Sequence, residues 1–370
     1  MLIYDIALTL IPEIGNVRGR RLIEVFGSAE AALKTALADI AEQTEIPFNA
    51  IKNIEVSRVY PTAEAEIKYM EKQGIEAITI SDERYPERLK ECPDAPLVLY
   101  VKGNIDFNSP YWLSVVGTRK ITSYGRKMTA KLVDGLAEMA PKTVIVSGLA
   151  YGTDIEAHKA ALQNGMKTVA VLGNPLGYVY PEAHAVYAHE IVEKGGAVVS
   201  EFHSLCEMQG NNFLRRNRII AGLSSGTLVV ESAYKGGSLS TAAYALGYYR
   251  DVMAVPGRVG DPVSEGTNQL IRDNRAAMVL TPQDILDHLN WDSCPAPAEE
   301  HPEPAEPELF TGMGSDEQLI FNVLREGYPV SVDDLAGKTG MPAAKISALS
   351  LSMEIEGLIR RLPGNLLEKT

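Results

Sequence analysis

Basic and glycine residues recur where predicted strands end. One group, Gly117, Thr118, Arg119 and Lys120, follows the apolar segment WLSVV and precedes a predicted helix that begins near Tyr124. Glycine lets a backbone approach an anion closely, and a helix N-terminus presents free N–H groups. The segment is not GxGxxG, and no acidic residue ends the next predicted strand, so no nicotinamide cofactor is expected. We interpret the segment as a phosphate-binding loop; the alternative is a glycine turn with two solvated basic residues.

Two further loops have the same character. Ser147 and Gly148 begin the stretch SGLAYGTDIEAH, which leads into a predicted helix. A second glycine-rich loop at a predicted helix start contains Lys235, Gly236, Gly237 and Ser238. It differs from a Walker A loop because its lysine precedes the glycines and no GKS/T follows. We expect both loops to contact phosphate.

The fourth segment is FLRRNR, in which Phe213 precedes Arg215, Arg216, Asn217 and Arg218. The pattern predicts a helix that starts within this segment. Three guanidinium groups at the positive end of a helix cost stability unless an anion is bound. Guanidinium groups pair bidentately with phosphate, and an exposed phenylalanine can stack on a base. A solvated basic helix end is the alternative.

Together these loops place more cations at one edge of a sheet than a mononucleotide needs, which favours a chain of phosphates, and single-stranded DNA above all. The sequence shows no Ser–His–acid set and no HExxH, so we expect no catalytic residue, metal or cofactor. Glu201 and Glu231, at predicted strand ends, are expected to hydrogen-bond loop amides or orient the arginines. His158 is expected to be structural, and His184 and His189 to lie on a surface helix.

The elements that position these loops alternate regularly from Tyr111 to Val279. Near-continuous apolar strands alternate with amphipathic helices, which predicts a doubly wound, mainly parallel α/β sheet. The segments EAITI and LVLYVKG are expected to extend this sheet. Ligands bind such sheets at the carboxyl ends of the strands, where all four loops would meet.

The sequence predicts four parts: a helical domain over residues 1–62, the α/β domain over 63–290, an acidic Pro-rich linker over 291–314 and a winged-helix domain over 315–370. The net charge of −13 is distributed unevenly along the chain. Residues 111–290 carry 17 basic and 16 acidic side chains, whereas residues 291–317 carry no basic and eight acidic side chains. The linker, not the α/β domain, therefore supplies much of the acidity. Three scattered cysteines, no signal-like start and no long apolar run predict a cytoplasmic protein without a membrane segment.

Five motifs in order, SVVGTRKITSYG, SGLAYGTDIEAHKAAL, TVAVLGNPLGYVYPEAH, FLRRNRIIAGLSSGTLVVESAYKGGSLSTAA and MAVPGRVGDPVSEGTNQLI, resemble the DprA (Smf) family of bacterial DNA-processing proteins. The resemblance implies an extended Rossmann-like fold and a homodimeric, non-enzymatic protein. It also implies that the protein binds single-stranded DNA, protects incoming DNA and loads the RecA recombinase during natural transformation.

By the same resemblance, Arg119 corresponds to the main phosphate-binding arginine of the family. Phe213, Arg216, Asn217 and Arg218 resemble its FPxRNR segment, and Gly237 with Ser238 its SGS loop. The chain departs from the family in Leu214, which replaces a proline, and in Glu182, where some members carry a DNA-binding lysine.

Two alternatives remain open, a LOG-like nucleotide phosphoribohydrolase and a nucleotide-sensing Rossmann protein. The hydrolase loop PGGxGTxxE would need a glutamate where this chain has Ala243 or Tyr244, which argues against hydrolysis. The third helix of the winged-helix domain carries one lysine, Lys345, and acidic residues, so we expect that domain to contact protein rather than DNA.

Overall fold

The computed structural model describes residues 2–52, 54, 56–291, 314–324, 330–355, 358–362 and 366–369. The chain divides into two compact units, Met1–Pro297 and Ala298–Thr370. The predicted boundary at residue 62 falls inside the first unit and stays a prediction. Of the predicted linker, only residues 291 and 314 belong to the described part.

The first unit begins with six helices that alternate apolar and polar faces. They are α1 (Leu2–Thr9), α2 (Asn16–Phe26), α3 (Ala29–Lys34), α4 (Leu37–Thr44), α5 (Phe48–Ile51) and α6 (Val56–Gln73). Short polar residues set their limits; the Ser28 hydroxyl, for example, accepts a hydrogen bond from the Ala31 N–H and caps α3. Ile6, Leu22 and Ile40 are fully buried and hold the helices together.

Nine strands form one sheet. They are β1 (Glu76–Thr79), β2 (Val98–Gly103), β3 (Trp112–Val116), β4 (Val144–Ser147), β5 (Thr168–Val171), β6 (Ala197–Ser200), β7 (Gly226–Val229), β8 (Asp251–Ala254) and β9 (Ala277–Met278). Their order is β1-β2-β6-β5-β4-β3-β7-β8-β9. The pairs from β6 to β9 are parallel, whereas β1 and β2 are antiparallel to their neighbours. The doubly wound sheet and its extension by β1 and β2 are confirmed.

Helices cover both faces of this sheet and connect its strands. They are α7 (Glu87–Lys90), α8 (Ser123–Met139), α9 (Thr153–Gln163), a 3-10 turn (Glu182–His184), α10 (Ala185–Glu193), α11 (Gly210–Leu223), α12 (Ser238–Gly247), α13 (Glu265–Arg272) and α14 (Pro282–Leu289). Strands β3 to β7 are buried throughout, which explains their continuous apolar sequences. No helix among the described residues is long and apolar enough to cross a membrane.

The order of the strands reverses at β3, which has β4 on one side and β7 on the other. The chain leaves β3 and β7 in opposite directions, and this opens a crevice at the carboxyl edge. The loops after β3 and β7 are thereby brought side by side, although more than 100 residues separate them. The fold therefore prepares a binding site at this point.

The second unit contains α15 (Ser315–Leu324), β10 (Val330–Ser331), α16 (Val332–Thr339), α17 (Ala343–Ile355), β11 (Ile359–Leu362) and β12 (Leu366–Lys369). The sheet order is β10-β12-β11. Ile320, Leu335 and Ile346 form its buried core. The predicted three helices and β-wing are confirmed. On α17, the Lys345 ammonium lies 2.5 Å from an Asp316 carboxylate oxygen.

Candidate nucleic-acid interface

A cleft of about 330 Å³ lies at the reversal point of the sheet. It is lined by the loops that follow β3, β4 and β7, by α11 from Phe213 to Ile220 and by the first turn of α12. Nine of the residues predicted from the sequence line it: Gly117, Thr118, Arg119, Phe213, Arg216, Asn217, Gly236, Gly237 and Ser238. Lys120, Ser147, Gly148, Arg215, Arg218 and Lys235 are not among the lining residues.

The first loop is held by Glu231, which follows β7. The Glu231 carboxylate accepts hydrogen bonds from the Thr122 N–H at 2.9 Å and the Thr122 hydroxyl at 2.5 Å. The Glu231 carbonyl accepts one from the Thr118 N–H at 2.8 Å. The prediction that this glutamate binds loop amides is confirmed. Arg119 and Lys120 remain exposed, and the Arg119 guanidinium lies 6.0 Å from the centre of the Phe213 ring.

The second loop, which contains Ser147 and Gly148 at the end of β4, packs against the residues that line the cleft. Ser147 is fully buried, and its hydroxyl donates to the Val115 carbonyl at 2.6 Å. Gly148 donates its N–H to Asp154, and a Cβ at this glycine would collide with the Arg216 guanidinium. Neither residue lines the cleft: Ser147 is buried with its hydroxyl bound to backbone, and the Arg216 guanidinium covers Gly148. Phosphate contact by Ser147 and Gly148 stays a prediction without geometric support.

His184 corrects one expectation. It was expected on a surface helix, but it ends the 3-10 turn and is 6% exposed. Its Nδ1 donates to the Leu149 carbonyl at 2.7 Å, since a carbonyl can only accept. Leu149 has φ 55°, in the left-handed region that non-glycine residues seldom adopt. His184 thus holds the second loop in an unusual backbone conformation.

The arginine segment is the main correction. Helix α11 begins at Gly210, so Arg215, Arg216 and Arg218 lie in its second and third turns and not at its start. Arg216 is 3% exposed and donates from Nη1 to the Val171 carbonyl. Burial lowers the pKa of Arg216 to about 10, and the negative charge of the buried Asp154 opposes that shift. Burial raises the pKa of Asp154 in turn.

The Arg218 guanidinium is also bound by oxygen atoms of the protein. It is 5% exposed, and its Nη2 lies 2.5 Å from Glu201 Oε2 while Nη1 donates to the Asp94 carbonyl. The same Glu201 oxygen accepts from the Asn16 side chain of α2 and lies 3.6 Å from Arg215. The expectation that Glu201 orients arginines is confirmed. Arg215 is the exposed arginine of the three, with 52% of its side chain accessible.

The loop after β7 is open to solvent. Lys235 is exposed, and nothing lies within 4 Å of a Cβ placed on Gly237. The Ser238 hydroxyl donates to Ser232 at 2.9 Å, and the Asn217 amide donates to Ser240 at 2.8 Å. The first bond holds the start of α12 to the loop after β7, and the second joins α11 to α12. Both leave the backbone at Gly237 accessible to an anion.

Aromatic side chains around the cleft were missed in the sequence. The Tyr180 ring lies 5.5 Å from the Phe213 ring, and Tyr151 and Tyr234 are 51% and 56% exposed. Tyr151 and Tyr234 adjoin the lining residues Ala150 and Ala233, and Tyr180 contacts the lining residue Phe213. Each tyrosine follows a different strand, so only the strand order shows that they lie near one cleft. The motifs GLAYGTD and ESAYKGG, each with a tyrosine beside small residues, carried a weak signal.

His158 gives this site a measurable pH signature. It is fully buried, its Nδ1 lies 2.7 Å from the Thr168 hydroxyl, and burial lowers its pKa to about 3. In the unfolded chain a histidine titrates near 6.5. The unfolded state therefore binds a proton as the pH falls below 6.5 while the folded state stays neutral, so stability is lost from 6.5 downward.

We expect His158 to make the free energy of unfolding about 1.4 kcal/mol lower at pH 5.5 than at pH 7.5, as measured by urea unfolding. The His158→Gln variant should lose that share of the pH dependence. An unchanged pH dependence in the variant would exclude His158 as its source.

A family model described as DNA recombination-mediator protein A matches residues 76–290, and one described as DprA winged helix domain matches residues 293–365. The chain belongs to the DNA recombination-mediator protein A family. The resemblance found in the sequence motifs is thereby confirmed.

Named relatives agree. Protein Smf of Escherichia coli is 38% identical over 304 residues, which cover 81% of this chain and 79% of the relative. The DNA processing protein DprA of Streptococcus pneumoniae is 40% identical over 214 residues, which cover 58% of this chain and 74% of the relative. The X-ray structure of the Streptococcus pneumoniae protein superposes with a TM-score of 0.64 at 33% identity, covering 77% of this chain and 96% of that one.

A second solved structure concerns the single-stranded DNA binding mode of DNA processing protein A from Helicobacter pylori. It is similar to this chain with a TM-score of 0.52 and 28% identity, over 58% of this chain and 95% of that one. Among the described residues, no group of three His, Cys, Asp or Glu side chains is placed to hold a metal ion.

Proposed function

We propose that this protein binds single-stranded DNA in the cleft at the reversal point of the sheet. The observation that carries the proposal is the combination of exposed cations and exposed aromatic rings around one cleft. Arg119, Lys120 and Lys235 form no ion pair with any described residue. Unpaired cations suit phosphates, and aromatic rings stack on bases of any sequence. The similarity to the Helicobacter pylori protein, whose structure concerns single-stranded DNA binding, supports the proposal.

The exposure of the predicted residues supports a division of them into two proposed groups. Arg119, Lys120, Arg215 and Lys235 are exposed and would meet phosphates, while the Phe213 and Tyr180 rings would stack on bases. Arg216 and Arg218 are buried and would act as positioning residues, because their guanidinium groups already bind protein oxygens. This division replaces the uniform set of phosphate ligands expected from the sequence.

The finer role is also proposed. We infer that the protein protects incoming DNA and loads a RecA recombinase onto it during natural transformation, as a homodimer in the cytoplasm and without catalysing a reaction. Family membership supports the mediator role. The carboxylates of Glu201 and Glu231, which could have served in acid–base chemistry, are already engaged by Arg218 and Thr122.

The Arg119→Ala variant tests the proposed DNA site. Affinity for an oligo-dT strand, measured across a salt series, should fall, and the slope of log K on log salt should lose about 0.7 for the one phosphate contact removed. Lys167→Ala is the matched control, because Lys167 is exposed but precedes β5 at the opposite, amino edge of the sheet. The control should leave both affinity and slope unchanged.

A salt-independent signal that a mononucleotide competes away would refute DNA binding and favour a nucleotide sensor. Release of free base from a nucleoside monophosphate would instead favour a phosphoribohydrolase. Both assays use the full chain.

A further inference from the structure

The exposed face of α8 carries its charges in an unusual order. Arg126, Lys127 and Lys131 are exposed in the first half of the helix, and Asp134 and Glu138 are exposed in the second half. A helix favours negative charge near its N-terminus and positive charge near its C-terminus. The order on α8 is the reverse, so the helix itself gains nothing from it.

The first cations of this face have no protein partners. Arg126 and Lys127 form no ion pair or side-chain hydrogen bond with any described residue. Lys131, one turn further along, lies 3.5 Å from the Leu280 carbonyl and near the carboxylate of Asp284, so it is not part of this unpartnered group. The buried arginines of α11 are compensated by carboxylates, and the contrast marks Arg126 and Lys127 as available to a ligand. The Thr122 hydroxyl caps the helix, so the argument rests on side chains and not on free N–H groups.

This face is continuous with the cleft. Lys120 is exposed two residues before the cap, in the loop that contributes Arg119 to the cleft. The Tyr124 hydroxyl donates to the Pro256 carbonyl after β8, which places the first turn of α8 at the carboxyl edge of the sheet. At 1.5 Å per residue, Lys127 lies about 6 Å along the helix from its first residue. The cations therefore lead away from the cleft in one direction.

We propose that Lys120, Arg126 and Lys127 form a second phosphate-binding surface, which holds the part of a single strand that extends beyond the cleft. This inference rests on the proposed function, because it needs a strand in the cleft. The chain as a whole is strongly acidic, with a net charge of −13, so an uncompensated basic surface beside the cleft would also direct the strand into it.

The test compares two lengths of oligo-dT, about 6 and about 16 nucleotides, within the range typical of one binding module. The Arg126→Glu, Lys127→Glu double variant should bind the short strand as the unchanged chain does. For the long strand its salt slope should fall by about 1.4, since two contacts are lost, and its affinity at 0.1 M salt by about 25-fold. Because glutamate suits the first turns of a helix, Tm should stay the same or rise.

The matched control is the Lys142→Glu, Lys167→Glu double variant, which makes the same charge change on exposed residues at the amino edge of the sheet. It should bind both lengths with nearly unchanged slopes. Two results would overturn the second surface: an equal loss of affinity in the two double variants, or no loss of long-strand affinity in the α8 double variant. If Arg119→Ala still weakens binding of both strand lengths, the proposed cleft site is unaffected by either result. Failure of the unchanged chain to bind either strand would overturn the proposed function and the inference together.

Discussion

Replacing Arg218 by methionine is expected to lower the free energy of unfolding by about 3 kcal/mol. The guanidinium is buried, and its loss removes the closest cation from the Glu201 carboxylate, which is itself only 4% exposed. The value lies at the low end for a broken buried pair, because Asn16 and Arg215 still contact the same oxygen. Urea unfolding of the full chain at neutral pH measures it.

Arg215→Met provides the comparison, since it removes the same chemical group from the same helix and the same carboxylate. Arg215 is half exposed and 3.6 Å from Glu201, so its loss should cost less than about 1 kcal/mol. Its DNA salt slope should instead fall by about 0.7. Equal destabilisation by the two variants would contradict the division between contact and positioning residues. So would an Arg218→Met variant with unchanged free energy of unfolding and a reduced salt slope for DNA binding.

The second large effect is expected at Gly148, where alanine should cost about 3 kcal/mol. The added methyl would occupy the space of the Arg216 guanidinium, which must then leave the Val171 carbonyl. Because Arg216 supports the cleft without reaching out of it, oligo-dT affinity should fall while the salt slope stays the same. Unfolding and binding measured on one preparation give both numbers.

A double-mutant cycle identifies the cause. In an Arg216→Met background the Gly148→Ala change should cost much less, because the group it collides with is gone. Gly237→Ala is the matched control in the same cleft, since φ is −61° and nothing lies within 4 Å of the added Cβ. Its stability should be unchanged or slightly higher. An equal cost of Gly148→Ala in both backgrounds would exclude the collision with Arg216.

Much of the α/β fold follows from local sequence. Continuous apolar strands separated by amphipathic helices require a sheet covered on both faces, and glycine and basic residues after the strands then meet at one edge. The loop with Arg119 and the loop with Lys235 were identified in this way. Their shared cleft depends only on the reversal of strand order at β3.

The roles of the arginines could not be predicted in the same way. In the sequence, FLRRNR shows three cations and no acid, so an external anion is the simplest partner. In the structure, Glu201, which follows β6, is the partner that the sequence did indicate. The other two, Asp154 in α9 and Asp94 after α7, lie far from the arginines in sequence. Charge compensation over such separations is a tertiary property. Arg126 and Lys127 of α8, in contrast, stay uncompensated in the described part of the structure.

The central position of β3 has a consequence for synthesis of the chain. One edge of β3 pairs with β7, with Leu113 opposite Gly226, so this edge stays unpaired until 113 further residues have been synthesised. At about 5–20 residues per second, the delay is roughly 6 to 23 s. During that time a strand that is apolar except for Ser114 presents unpaired backbone groups, which is the condition that promotes aggregation. We expect the nascent chain to depend on ribosome-associated chaperones until β7 has emerged.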